Sequence, residues 1–390
     1  MVYHKNLLIL GLGLPIVYFR DLINYHFQGI CKGCSFPFYT MKKNLFFILC
    51  FLILPKTLFS QKVEIGDIKE VTSTILDEKR EVWISVPKHY HHIDFKDQKY
   101  PVVYLIDGEM YFHVVSGIVN NLANDYYPSI PEAIVVGIVN SDRGRDLTPT
   151  HDEKQPYSSG GDKNFRAFLT QELIPIINKE YRTNDFSLLI GHSFGGLFAL
   201  NTLYTQPQTF NAYIAVDPST WWHNKRLLKQ TESIFKNTKF NSTHLFIGDA
   251  EPAPSPIDLG EQSNVHEESL HEYATLVNQN TNDNLNITLK TYDGEDHGSV
   301  VMPAIIDGLK SIFKEYKINA KLVAKNPDVL FEQYNKLSKK FNTEIIPQSF
   351  YISNLIQYAL RTGEKENAQK LYSIITTHYP ENTSVQTFFK

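Results

Sequence analysis

Phe186-Ser187-Leu188-Leu189-Ile190-Gly191-His192-Ser193-Phe194-Gly195-Gly196-Leu197-Phe198-Ala199-Leu200 reads as a short apolar run, a break on glycines, and a second apolar run. The first run has strand character and the second helix character. Between them sits Gly191-x-Ser193-x-Gly195, the spacing of a nucleophile elbow. A serine on so tight a strand-to-helix turn takes a strained backbone conformation, so the residues two before and two after it must be small. The following helix aims its N-terminal N–H groups at the serine, where negative charge develops during acyl transfer. Glycine and serine are common, so the spacing alone is a weak signal. The strand before it and the helix after it supply the confirming context.

Working outward, residues 63–76 and 80–87 alternate in polarity and predict two antiparallel strands around Asp77-Glu78-Lys79. Buried-type strands are expected at 100–106, 133–139, 213–216, 243–247 and 286–292. Helical patterns fall at 111–124, 165–181, 227–235 and 299–316. This alternation predicts an α/β fold with a mainly parallel central sheet and helices on both faces. From 325 onward there are no strands. Helical stretches near 328–340, 348–362 and 365–378 form an all-helical appendage, and Tyr358, Ala359, Gly363, Ala368, Tyr372 and Pro380 resemble one tetratricopeptide-type hairpin. Packing of this hairpin on the body is the expectation; recruitment of a protein partner is the alternative.

The chain has 390 residues, 42% hydrophobic and 13% aromatic, enough for one sizeable core and a smaller appendage. Net charge is -4, but residues 1–60 hold six Lys/Arg and one acid, leaving -9 for the remainder. With no basic tract, nucleic acid is not an expected partner. Met41-Lys42-Lys43-Asn44 precedes an apolar run from Leu45 to Leu54, then Pro55 and Ser60, the layout of a secretory signal peptide. The expected division is therefore 1–40 as upstream misreading or leader, 41–60 as signal peptide, 61–320 as catalytic body and 325–390 as helical extension. The mature chain would be exported, periplasmic or secreted, with no stable membrane anchor. All three cysteines, Cys31, Cys34 and Cys50, lie in the leader, so the mature chain would rely on its core and not on disulfides. The Cys31-x-x-Cys34 pair lacks the second pair of a zinc site.

A serine nucleophile needs a base and an orienting acid. In α/β-hydrolases these follow in the order Ser, acid, His. His297 lies after the last expected strand and before a helix, where the base belongs. For the acid, Glu251 and Asp249 lie just after the penultimate strand and Asp217 one strand earlier. The oxyanion hole is expected from the N–H groups of Phe194 and Glu109. Arg143 and Arg145 sit in a charged loop at a strand end, where they either grip an anionic substrate group or pair with Asp142 or Asp146. Trp221 and Trp222 follow a strand end and either wall an apolar pocket or fill the core. His89, His91 and His92 lie on a polar loop without a partner motif, so no metal is expected, and no cofactor.

Val102-Val103-Tyr104-Leu105-Ile106-Asp107-Gly108, Gly191-His192-Ser193-Phe194-Gly195-Gly196, Pro218-Ser219-Thr220-Trp221-Trp222 and Asp296-His297-Gly298 occur in an order that resembles the putative esterase family of α/β-hydrolases. That family holds enterochelin and related siderophore esterases, feruloyl esterases and the esterase D group. The likeness spans residues 63–316. The tryptophan pair and Arg145-Asp146-Leu147-Thr148-Pro149 lean toward the siderophore branch. The resemblance implies an α/β-hydrolase fold and hydrolysis of a small-molecule carboxylic ester through an acyl-enzyme on Ser193, with His297 as base. It favours Glu251-Pro252 as the acid position, although residues 252–263 insert directly after it, and a Ser-His dyad is the alternative. Acyl transfer to an acceptor alcohol, or ligand binding without catalysis, are the competing functions of the same scaffold.

Overall fold

The first two strands, β1 (Asp67–Ser73) and β2 (Glu78–Ser85), pair antiparallel around a turn in which Asp77 takes φ 53°. The computed structural model describes residues 62–124, 127–251, 261–280 and 282–389, without the side chains of 261–264. The expectations for residues 1–60 lie outside these residues, as does most of the segment 252–263. The remaining strands are β3 (Tyr100–Ile106), β4 (Ile134–Ile138), β5 (Thr183–His192), β6 (Ala212–Val216), β7 (Thr243–Glu251) and β8 (Leu285–Asp293). They form one eight-stranded sheet in the order β1-β2-β4-β3-β5-β6-β7-β8. Every pairing from β4 to β8 is parallel, and β2 joins β4 antiparallel. This is the α/β-hydrolase architecture.

Both sheet faces are covered, which is why β3, β4 and β6 are buried along their whole length. Side chains alternate faces along a strand, so Val103 and Leu105 enter one core and Val102, Tyr104 and Ile106 the other. The helices on the two faces are α1 (Gly108–Leu122), the single turn α2 (Arg143–Leu147), α3 (Asp162–Phe168), α4 (Ile174–Glu180), α5 (Phe194–Thr205), α6 (Trp222–Asn237), α7 (Glu261–Gln279) and α8 (Val301–Ile312). The helix expected at 165–181 is divided into α3 and α4 by a π-turn, Leu169–Leu173. Pro175 in the first turn of α4 has no N–H to give the carbonyl four residues back, so the ladder widens there.

Residues 143–147 are helical where a loop was expected. The sequence reading assigned no element to α7, whose four glutamates (Glu261, Glu267, Glu268, Glu272) obscure a buried stripe of Leu270, Tyr273 and Val277.

The C-terminal helices are α9 (Ala320–Lys325), α10 (Asp328–Phe341), α11 (Ser349–Arg361) and α12 (Lys365–His378), and α11 turns into α12 at Gly363, φ 86°. Their buried residues, among them Leu330, Leu337, Ile352, Ile356 and Leu371, join the core formed by Val103, Leu188 and Ile214 of the sheet. Phe341 meets Phe186 of β5 edge-on at 4.8 Å. The Gln348 amide bridges the backbone of Glu132, accepting from its N–H at 2.9 Å and donating to its carbonyl at 3.0 Å. Ile65–Lys390 accordingly forms one compact unit.

A shared core implies shared melting. Ile356, with 0% exposure, replaced by alanine should cost about 2–5 kcal/mol and lower the melting temperature of the whole unit in one transition. A separate early transition of the C-terminal helices in calorimetry would contradict this.

Candidate active site

In this strand order the chain leaves β3 toward β4 on one side and returns to β5 on the other. The carboxyl ends of β3 and β5 therefore bound a topological switch point, where open parallel sheets place their ligands. Ser193 stands there, between β5 and α5, with φ 60° and ψ −117°, a strained conformation for a residue with a side chain. The surroundings over-determine that strain. Ser193 N–H donates to Val216 O at 3.0 Å, and its carbonyl accepts from Leu197 N–H at 2.9 Å and Ser219 N–H at 3.1 Å. A Cβ on Gly191 would lie 2.1 Å from Gly195 O, and one on Gly196 would lie 3.0 Å from Pro218 Cα, so the chain passes itself only as glycine. The Ser193 hydroxyl contacts Ser219 Oγ at 3.3 Å.

Asp217 caps the end of β6 with φ 41° and is 1% exposed. Its N–H donates to Gly248 O at 2.7 Å, and its Oδ1 accepts from Ala250 N–H at 3.1 Å. Its Oδ2 accepts from His297 Nδ1 and, at 2.9 Å, from His266 Nε2 on α7. Burial by itself would raise the carboxyl pKa. The hydrogen bonds from the two imidazoles, the charge of His266 and the Ala250 N–H outweigh it and hold Asp217 well below the usual carboxylate range.

The His297 loop has its own clamps. Asp296 Oδ1 accepts from Gly298 N–H at 2.9 Å and Ser299 N–H at 2.8 Å, while His192 Nε2–H donates to His297 O at 2.7 Å. His192 Nδ1 in turn accepts from Tyr111 OH at 3.1 Å. Burial, followed by the charge of His297, pushes the His192 pKa down to about 4. His192 is thus a neutral strut carrying its proton on Nε2. The x position of the elbow motif had given no hint of that role.

Glu251 does not reach His297. β7 runs four residues past its expected end because its pairing with β8 continues to Glu251↔Asp293. That register carries Glu251 beyond the site and leaves it exposed, while Asp217 takes the imidazole. Asp249 lies between them in space, 2% exposed, accepting from Thr291 Oγ1 at 3.2 Å and facing His271 Nε2 at 3.9 Å. Its Oδ1 has no hydrogen-bond partner among the described residues. Burial, reinforced by Asp217 and Glu251 against His271, pushes its pKa up to about 6.

Both arginines have internal partners. Arg143 makes a two-pronged contact with the fully buried Asp107, at 2.7 and 3.0 Å, donates to His192 O at 3.1 Å and lies over the Phe194 ring. Arg145 bonds Asp146 at 2.7 Å and Glu78 at 2.8 Å. Neither guanidinium is a free anion grip, because each neutralises a carboxylate buried beneath the loop. Trp222 is buried and donates Nε1–H to Thr150 Oγ1 at 3.2 Å. The half-buried Trp221 and Phe194, 6.0 Å apart, and the partly exposed Tyr157 make the aromatic wall beside Ser193. Phe194 and Glu109 lie in the first turns of α5 and α1, whose strands are adjacent, and first-turn N–H groups have no carbonyl within their own helix. The Glu109 carboxylate accepts from Asn140 Nδ2 at 2.8 Å. His89, one of the three loop histidines, pairs with Glu132 at 2.8 Å.

Two outcomes follow from this electrostatic layout. Arg143→Ala, leaving Asp107 uncompensated, should cost stability near the lower end of roughly 3–5 kcal/mol, since the guanidinium is 33% exposed. It should reduce turnover of anionic and neutral esters alike; a loss confined to anionic esters would restore the anion grip. For Asp249, the folded pKa lies above the unfolded value, so stability falls as pH rises from about 4 to about 6. Asp249→Asn should therefore raise the melting temperature at pH 8, by at most about 3 kcal/mol in stability, with the gain gone below about pH 4.

A family model described as Putative esterase matches residues 73–299, more than half of the chain. The chain is 28% identical over 245 residues to the siderophore enterobactin esterase of Emericella nidulans, covering 53% of this chain and 80% of that one. It is 33% identical over 161 residues to the ferri-bacillibactin esterase BesA of Bacillus subtilis, covering 37% of this chain and 56% of that one. Among solved structures it is similar to the IroE-like serine hydrolase of Shewanella oneidensis, at 32% identity and TM-score 0.73, covering 79% of this chain and 98% of that one. With its fold and strained elbow serine, the chain belongs to the putative esterase family of α/β-hydrolases and is a carboxylic ester hydrolase.

Proposed function

We propose that the protein hydrolyses siderophore-type esters through an acyl-enzyme on Ser193, with His297 as base and Asp217 as the orienting acid. The observation that carries this reading is the His297 Nδ1 contact to a buried, ionised Asp217 next to the elbow. Nδ1–H donation to a carboxylate leaves Nε2 as the acceptor, the tautomer a general base requires. Ser193 Oγ attacks the ester carbonyl carbon while His297 Nε2 takes its proton. The Phe194 and Glu109 N–H groups receive the oxyanion. Collapse expels the alcohol, which takes the proton back from His297. Water then repeats the sequence on the acyl-serine. The Ser193–Ser219 contact is the resting position of a hydroxyl whose catalytic bond tightens on substrate binding.

Siderophore esterase names among the relatives, together with the aromatic wall of Tyr157, Phe194 and Trp221, support an aromatic ester as substrate. Export is part of the same proposal, resting on the signal layout at 41–60; among the described residues no helix is long and apolar enough to cross a membrane.

Hydrolysis of p-nitrophenyl butyrate and of a catecholate siderophore ester by single variants tests the assignment. Ser193→Ala should abolish both activities and labelling by a fluorophosphonate. Asp217→Asn should lower kcat by about 10³–10⁴-fold, and Glu251→Gln should stay within about twofold of wild type, as an exposed residue away from the reacting groups would. The reverse ranking of the two acids would sink the Asp217 assignment. Trp221→Ala should raise KM for the catecholate ester more than for the butyrate.

A further inference from the structure

Asp217 holds more than an orienting acid needs. A triad carboxylate has one histidine to direct; here a second, His266, reaches the same oxygen from a different element. His297 Nδ1, His266 Nε2 and a carboxylate oxygen of Asp217 all lie within 4.8 Å of one another. We propose that these three residues form a transition-metal site, selective for Zn²⁺-like cations, whose occupation reversibly switches off the esterase. The proposal rests on the role given above to His297.

The donor set selects the cation class. Two imidazole nitrogens and one carboxylate oxygen suit zinc and its neighbours, whereas calcium and magnesium require a shell of oxygens. Three protein ligands leave a fourth position for water, and the open side is available because the His297 side chain is 49% exposed and that of His266 17%. The ligands are held from outside, as metal ligands usually are. Asp217 is fixed by Ala250 N–H, His297 through its carbonyl by His192 Nε2–H, and the His266 carbonyl by Ser269 Oγ, which in turn contacts Thr220 Oγ1. A tetrahedral cation at about 2.1 Å from each ligand asks for ligand separations of about 3.4 Å. The contacts of His266 and His297 with Asp217 Oδ2 both have to open toward that separation, which the 49% exposed His297 side chain has room to do.

The switch follows from the tautomer. A neutral imidazole bound to metal through Nδ1 carries its proton on Nε2. In the working enzyme Nδ1 holds the proton and Nε2 accepts from Ser193. Coordination therefore moves the single ring proton of His297 from Nδ1 to Nε2 and removes the acceptor, while the proton that His266 Nε2 gives to Asp217 leaves that nitrogen for Nδ1 or for solvent. At the same time it takes Asp217 Oδ2 out of the triad. Nothing is oxidised and no bond to carbon changes, so removing the metal restores the base.

The test uses the full-length protein with Zn²⁺ or Co²⁺ alone as the ligand. Calorimetric titration should show one Zn²⁺ per chain, Co²⁺ should give the absorption of a tetrahedral N/O site, and esterase activity should fall in proportion to occupancy and return with EDTA. His266→Gln, which removes a direct ligand, should weaken binding by more than the roughly 10–100-fold that loss of an outer-shell partner costs and uncouple activity from zinc, each variant being compared with its own metal-free rate. His271→Gln, five residues further along α7 and outside the ligand set, should bind as wild type does. Zn²⁺ should also protect His266 and His297 of the wild-type chain from diethyl pyrocarbonate, a readout that needs no variant to fold. Absence of stoichiometric binding, or equal binding by His266→Gln, overturns the site. Zinc binding without any Ser193-dependent hydrolysis would instead overturn the functional reading and leave the site standing.

Discussion

A carboxylate taken out of water at the end of a buried strand must be surrounded by donors or else take up a proton. Asp217 is in that position, and the architecture around it can be read as the supply of those donors. Parallel pairing of β6 with β7 brings the Ala250 N–H to one oxygen. The loop after β8 and the helix α7 bring imidazoles to the other. Asp249 is the contrast. It lies near Asp217, equally buried, but with one hydroxyl donor and a distant histidine, and its pKa moves the opposite way. Of two buried carboxylates within one cluster, the number of donors decides which holds its charge to lower pH. An orienting acid for a histidine has to be the charged one.

The elbow and the loop that faces it obey a second constraint, that strain and buried charge be held by rigid neighbours. Ser193 keeps a positive φ because its peptide groups are bonded to β6 and to Ser219. Arg143 ties together Asp107, which opens α1, and His192, the last residue of β5. It thereby joins the carboxyl ends of the two strands that carry the expected oxyanion donors and the nucleophile. Both arginines of the loop are engaged by carboxylates, Arg143 by Asp107 and Arg145 by Asp146 and Glu78. Tyr157, Phe194 and Trp221 form an aromatic cluster next to the elbow.

The C-terminal helices belong to the same physical object. Their apolar residues complete the core on one face of the sheet, and Gln348 supplies the backbone of Glu132 with both a donor and an acceptor, as a neighbouring strand would. Gln348 lies 216 positions from Glu132 along the chain, so ordering the helices against the body takes long-range contacts that form only with the assembled sheet.

Local pattern made much of this legible. The period of two in the strands, the glycine-serine spacing of the elbow and the position of His297 after the last strand are short-range signals, and each reappears in the fold where the pattern put it. Helix α7 escaped notice because its glutamates mask a narrow apolar stripe, and His266 was hidden with it. The carboxylate partner of His297 was not legible, since Glu251 and Asp249 follow one expected strand and Asp217 another, and the pattern does not say which strand end faces the histidine. Extending β7 to Glu251↔Asp293 turned Glu251 outward, and that length depends on pairing with a strand more than 30 residues later. The sequence by itself determined the fold class, the turn at Ser193 and the placing of His297 after the last strand, because backbone conformation and hydrophobic period are local properties. Only the tertiary structure decided which carboxylate meets His297, which histidines share it and which arginines are already paired, because charge pairing depends on distances between elements that sequence spacing does not encode.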